Sequence, residues 1–142
     1  MANYPEFQVA PMREELVQAG FTQLMTPGDV DQALTRPGTT LLVVNSVCGC
    51  AAAGARPGVL MALREHGLRF DQLVTVFAGM ETEATRQARQ YFEGAAPSSP
   101  QAAIFQDGRL VHLMDRSAFL DRAPQAIAQE LAAAAEQAGI QA

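Results

Sequence analysis

From Thr39 to Val47 the chain reads TTLLVVNSV, an apolar and β-branched run in which polar residues do not recur at every second position. A strand with one wet face alternates, whereas a strand covered on both faces does not. The run therefore predicts a strand in the middle of a sheet, with helices on both sides of it. The 142 residues, 49% of them hydrophobic, suffice for one domain around an ordinary core.

The flanking segments supply that cover. VAPMREELVQAG places Val9, Met12, Leu16 and Ala19 at helical spacing and ends at Gly20, which suits a left-handed terminating residue. TPGDVDQALTRPG offers Thr26 as N-cap, Pro27 at the first helical position and Asp29 near the positive end of the helix dipole, and closes at Pro37-Gly38. FTQLM between them reads as a brief strand. After the central run, AAAGARPGVLMALREHG reads as a helix kinked near Pro57, with Leu60 and Leu63 on one face. QLVTVFAG reads as a second buried strand. METEATRQARQYFEG is a helix spacing Ala84, Ala88, Tyr91 and Phe92 along one side before Gly94. QAAIFQ and RLVHLMD, joined by Asp107-Gly108, form a hairpin, and APQAIAQELAAAAEQAG closes the chain as a helix with Ile127, Leu131, Ala134, Ala135 and Ala138 inward. The order α(β)αβαβαββα predicts a three-layer α/β/α sandwich around a mixed sheet.

Charge narrows the partners. Net charge is −5, and the ten Lys and Arg form no run that could track a phosphate backbone, so nucleic acid is not an expected partner. No apolar stretch approaches the roughly 20 residues that span a bilayer, and MANYPEFQVAPMREELVQAG lacks the basic start and apolar segment of an export signal. A soluble cytoplasmic protein is expected.

The only two cysteines, Cys48 and Cys50, stand one glycine apart where the central strand delivers the chain to a helix. That is the crevice position where open α/β sheets place their chemistry. In a reducing cytosol, paired thiols are more often catalytic, redox-sensing or metal-binding than stabilising. Unpaired N–H groups and the partial positive charge of a helix start favour thiolate over thiol, making Cys48 the expected nucleophile. Val47, Gly49, Ala51, Ala52 and Ala53 around it are small or uncharged. Gly49 supplies the freedom to bend the CGC into a small disulfide ring, whose strain predicts a labile bond and a couple less reducing than the about −270 mV of thioredoxin. Two other readings stay open. Both thiols could be small core residues, or CxC could hold Zn²⁺, Cu(I) or an iron–sulfur cluster, although the chain adds only His66 and His112 to complete a zinc site. Those histidines read as structural, one at a helix end and one mid-strand.

Three further features belong to the same neighbourhood. A cis proline at the start of the strand beside CGC, Pro100 or alternatively Pro97, would leave the Ser99 backbone free to hold an incoming disulfide as an added strand. Arg56, about two turns past Cys48, either favours an anion at the mouth of the site or is simply solvated. Asn45 is expected to fix the strand-to-helix turn by bonding backbone groups.

VVNSVCGCAAAGARP, TVFAGMETEATRQARQYFEGAAPSSP and APMREELVQAGF together resemble the bacilliredoxin family, thioredoxin-like proteins with a CGC centre. The resemblance covers nearly the whole chain. It implies a thioredoxin-like fold and a cytosolic bacterial protein that takes bacillithiol off protein mixed disulfides, with possible disulfide isomerase activity. Bacillithiol would be a thiol co-substrate, with no tightly bound cofactor, and the partners would be bacillithiolated or disulfide-containing proteins. By position, Cys48 becomes the attacking cysteine, Cys50 the second thiol and Pro100 the active-site proline; the reading of the residues above adds Asn45, Gly49, Arg56 and Ser99 beside the substrate. The chain departs from thioredoxins in having CxC rather than CxxC, Val47 ahead of the pair, no tryptophan, and no ionisable residue in the central strand to relay a proton from Cys50. A general disulfide isomerase, or a non-catalytic metal-binding or redox-sensing module, are the competing functions.

Overall fold

The computed structural model describes residues 4–140. Met1 to Asn3, the start of the segment read above for an export signal, and Gln141 and Ala142 lie outside the described residues. Helices α1 (Glu6–Val17), α2 (Pro27–Leu34), α3 (Arg56–Arg64), α4 (Thr82–Arg89) and α5 (Pro124–Gln137) alternate with strands β1 (Thr22–Gln23), β2 (Thr39–Asn45), β3 (Gln72–Phe77), β4 (Gln101–Gln106) and β5 (Arg109–Met114) in the expected order. The strands form one sheet in the order β1-β3-β2-β4-β5. β2 lies at its centre, parallel to β3 and antiparallel to β4.

The unbroken apolar character of β2 has the expected cause. Leu41 and Val43 pack into a core shared with α3 and α5, whereas Leu42 and Val44 enter the opposite core under α2 and α4. All four are at most 1% exposed. Full burial of side chains this size contributes about 1.5–3 kcal/mol each, so a polar substitution on either face of β2 would cost one of the two cores.

Local chemistry sets most boundaries where the sequence puts them. Gly20 takes φ 104° and ends α1, with the Phe21 N–H returning to the Leu16 carbonyl at 3.1 Å. Thr26 and Asp29 form a reciprocal capping box on α2. Asp107 and Gly108 both adopt positive φ, 53° and 83°, as a two-residue hairpin with right-handed strand twist requires.

FTQLM forms the brief strand expected, held to two residues because Phe21 and Leu24 turn into different cores and leave Thr22 and Gln23 alone to pair with β3. Three expectations are corrected. The helix containing Ala84 and Ala88 stops at Arg89 rather than reaching Phe92. Tyr91 and Phe92 leave it through a turn at Glu93 and Gly94, both with positive φ, and pack on Phe105 edge-on and stacked. Helix α2 ends at Leu34, before Pro37-Gly38. In α1 the buried turn is made by Val9, Arg13 and Leu16. Arg13 displaces Met12 there by pairing with Glu81 at 2.7 Å and Glu6 at 3.0 Å and by lying over the Phe77 ring.

Helices α3 and α5 meet closely because α3 carries Gly58 at the contact. A Cβ on Gly58 would fall 2.6 Å from Ile127 Cγ2 and 3.3 Å from the Pro124 carbonyl oxygen. Gly58→Ala is therefore expected to destabilise the protein by about 2 kcal/mol despite the better helix propensity of alanine, as overpacking of a close contact does. Urea unfolding checks it, and an unchanged or raised midpoint would show that α5 gives way freely.

Candidate functional site

The central strand ends at Asn45, and helical backbone resumes at Gly49. Between them Cys48 occupies the position of an N-cap residue. Its carbonyl accepts from the N–H groups of Ala51 at 2.9 Å and Ala52 at 3.2 Å, and its Sγ accepts from the Cys50 N–H at 3.4 Å. The sulfur thus does what a serine oxygen does at an ordinary helix start, satisfying a donor with no partner inside the helix. Ser46 Oγ in turn accepts from the Cys48 N–H at 3.0 Å.

The helix then widens into a π turn, Ala51–Ala55, before continuing as α3. Pro57 stands at the start of α3, where a ring lacking an N–H is tolerated. The expected kink near Pro57 is thus a wider turn just ahead of it, built from the small residues AAAGA. The extra residue also resets the helical register, and this corrects the expectation for Arg56. Rather than standing at the mouth or in solvent, Arg56 points inward and is 2% exposed. Its Nη1 donates to Asn45 Oδ1 and to the Ser46 carbonyl, both at 2.9 Å, and its Nε lies 3.2 Å from Glu15 Oε1.

Asn45 is likewise beneath the loop, not on its substrate side. It is 1% exposed; its Oδ1 also accepts from the Ser46 N–H at 2.8 Å, and its Nδ2 donates to the Met12 carbonyl at 3.1 Å. Asn45 therefore fixes the strand-to-helix turn as expected, and together with Arg56 it fastens that turn to α1.

Both cysteines are free thiols and half-buried, and Gly49 between them is exposed. A Cβ on Gly49 would meet nothing within 4 Å, so its smallness leaves open space at the thiols. The two sulfurs are driven in opposite directions. Hydrogen bonding from Cys50 holds the Cys48 thiol below the ordinary cysteine range, aided by the Cys50 and Ala51 N–H groups and the charge of Arg116, against some burial. Burial, and then donation of its proton toward Cys48, push Cys50 up, with Arg116 countering. The proton the pair shares thus rests on Cys50.

Arg116 is the residue that inspection of the sequence missed. Its Nη2 lies 4.0 Å from Cys48 Sγ across 68 positions. The signal for it lies in the strand pairing. The hairpin pairs Ala102 with Met114, so its return strand carries Arg116 to the level of Pro100.

The Ser99-Pro100 peptide is cis, whereas Pro97 is an exposed loop residue, which decides between the two prolines. Because Val44 pairs with Gln101, Ser99 and buried Pro100 lie at the sheet end where β2 hands over to the CGC loop. Arg89 holds that loop through the Ser98 carbonyl at 2.6 Å. His66 follows the end of α3, exposed. His112 sits mid-β5 with Nε2 3.5 Å from Glu130 Oε2. Among the described residues no group of three or more His, Cys, Asp or Glu side chains is gathered in metal-binding fashion, and no helix is long and apolar enough to cross a membrane.

Comparison with known proteins places this geometry. A family model described as disulphide isomerase matches residues 4–138. A bacilliredoxin of Cytophaga hutchinsonii is 50% identical over 128 residues, spanning 90% of this chain and 94% of that protein. The chain belongs to the bacilliredoxin family. A second bacilliredoxin, of Geobacillus kaustophilus, is 50% identical over 88% of this chain and 86% of its own length. A solved chain with a thioredoxin fold superposes with a TM-score of 0.62 at 18% identity, covering 79% of this chain and 94% of that one. The bacilliredoxin chain thus has a thioredoxin-like fold, and its CGC pair sits at the start of the helix that follows the central strand.

Proposed function

We propose that the protein is a single-domain thiol–disulfide oxidoreductase that removes bacillithiol from protein mixed disulfides, with Cys48 attacking and Cys50 as the second thiol. The observation that carries this reading is the half-buried Cys48 sulfur at the helix start, whose thiolate is favoured by donors from Cys50 and Ala51 and by Arg116. Family membership supports bacillithiol as the small thiol.

The exchange balances without an outside oxidant. The Cys48 thiolate attacks the bacillithiol sulfur of a protein–S–S–bacillithiol adduct; the Cys48–bacillithiol bond forms, the old S–S bond breaks, and the protein leaves as a thiolate that takes a proton from water. A bacillithiol thiolate then attacks the capped adduct, releasing oxidised bacillithiol and the Cys48 thiolate. Alternatively Cys50 loses its proton and attacks Cys48, closing the Cys48–Cys50 disulfide and expelling bacillithiol, after which a thiol reductant must reopen the ring. Ser99 and Pro100, at the same end of the sheet, offer the surface on which the polypeptide half lies, and Gly49 leaves its approach open. Asn45 and Arg56 act from below, as positioning residues. The partners are bacillithiolated or disulfide-containing proteins in a cytoplasm that holds free bacillithiol.

Incubation with a bacillithiolated protein tests the reading. Loss of the adduct mass from the target, with Cys50→Ala accumulating a bacillithiol adduct on Cys48, is the expected result; a target mass that persists unchanged overturns it. The family model's description favours a second reading, general disulfide isomerisation. Faster turnover of a scrambled disulfide protein than of a bacillithiolated one would give that reading priority.

The ionisation itself has a pH signature. Because Cys48 is an acid held below the ordinary thiol range of about 8.5, its alkylation by iodoacetamide should persist to lower pH than that of an ordinary thiol and fall as pH drops through the lowered value. Cys50, shifted upward, should react later and at higher pH. Two thiols alkylated in step, along the curve of a simple peptide, would contradict the assignment of roles.

A further inference from the structure

The segment joining β5 to α5 walls one side of the cysteines. It begins with a 3-10 turn, Arg116–Ala118, whose first N–H donates to Ser98 Oγ at 3.2 Å and so ties it to the loop ahead of Pro100. Phe119 anchors it, 1% exposed, while Leu120 stands 43% exposed. Between this wall and Gly49, Cys50 and Ala53 lies an open cleft of about 390 Å³.

Arg116 has no conventional partner. Arg13, Arg56 and Arg122 are each paired with a glutamate, but among the described residues no carboxylate lies within 4.0 Å of the Arg116 guanidinium. It faces the two sulfurs instead, with Cys48 Sγ 4.0 Å from its Nη2 and Cys50 also interacting with it. The charge on Cys48 vanishes once it takes up a cap, because a disulfide sulfur carries none, and Cys50, pushed upward by burial, stays protonated. The guanidinium, a planar fork matched to carboxylates, is then left facing the newly arrived group. The charges that line the cleft do not offer the same contact: Arg122 is held by Glu130 at 2.7 Å, and Asp121 repels a carboxylate, whereas Arg116 stands outside that lining beside the Cys48 sulfur.

We infer that Arg116 is the anion-binding residue for the small-thiol half of the mixed disulfide, so that the site selects low-molecular-weight thiols bearing a carboxylate. The inference rests on the exchange chemistry proposed above. It gives Arg116 two separable effects, favouring the thiolate before exchange for every substrate and gripping the cap only when the cap is anionic.

The test compares mixed disulfides of one carrier protein with mercaptopropionate, mercaptoethanol and cysteamine, caps of similar size that are anionic, neutral and cationic. For each, kcat/KM is measured in the wild type, Arg116→Gln and Arg116→Glu, and the variant-to-wild-type ratio removes differences in intrinsic cap reactivity. Arg116→Gln should lower kcat/KM for the mercaptopropionate adduct about tenfold more than for the mercaptoethanol adduct, the size of a lost charge-assisted hydrogen bond. Arg116→Glu should reverse the order and favour cysteamine. Equal losses for all three caps would overturn cap recognition and leave the exchange chemistry standing. Failure of the wild type to act on any of them, or on a bacillithiolated protein, would overturn the exchange chemistry and this inference together.

Discussion

Cys48→Ala will lower debacillithiolation by at least about a thousandfold, to the background rate of exchange in solution, while Cys50→Ala will retain a first turnover. The magnitude follows from the loss of the nucleophile itself, the largest single deletion a covalent mechanism admits. Cys50 cannot substitute, because burial, the first cause of its upward shift, persists when the Cys48 sulfur is gone. Removing Cys48 also removes the helix cap, so the variant should lose about 1 kcal/mol of stability as other cap deletions do. Mass spectrometry of the target protein and thermal unfolding of the variant check the two parts. Retention of a tenth of the wild-type rate by Cys48→Ala would transfer the attacking role to Cys50.

The second large effect is structural. Arg56→Met keeps most of the buried stem but deletes the head group that donates to Asn45 Oδ1 and the Ser46 carbonyl. Its ion pair with Glu15 contributes little alone, since the Glu15 side chain is 45% exposed. The two buried acceptors matter more. Losing a charged donor to buried partners costs about 3 kcal/mol, which for a chain of this size lowers Tm by about 10 °C. The loosened turn should also broaden the pH dependence of Cys48 alkylation, because Ser46, which holds the Cys48 N–H, is part of it. Calorimetry and alkylation kinetics read these separately. A Tm within 2 °C of the wild type would mean that the buried guanidinium is dispensable.

Features governed by neighbours in sequence were legible before any coordinates. The non-alternating β2 run identified the middle of the sheet, Gly20 and the Thr26–Asp29 pair marked helix ends, and Asp107-Gly108 marked the hairpin. The cysteine pair announced its own chemistry. The misreadings share one cause, which is that a tertiary partner decided the outcome. Arg13 was drawn inside by Glu81, 68 positions away. Phe92 stayed in the core without staying in a helix, because Phe105 was there to receive it. Arg56 was counted about two turns past Cys48 at α-helical pitch, and the wider turn at Ala51–Ala55 moved it to the other side. Arg116 carries no motif, and a bulge at Ile104/Phe105 shifts the hairpin count by one residue, so the strand pairing itself is needed to bring it level with Pro100.

The π turn has one more consequence. It makes the interval from Cys48 to Arg56 a fixed gauge between the reactive sulfur and the body of the molecule. Keeping all five residues of AAAGA but winding them at ordinary helical pitch would preserve every recognisable signature, yet it would swing the thiols by roughly 100° relative to the α3 surface packed on α5. The wider winding of this turn is thus as binding a requirement as the two cysteines themselves.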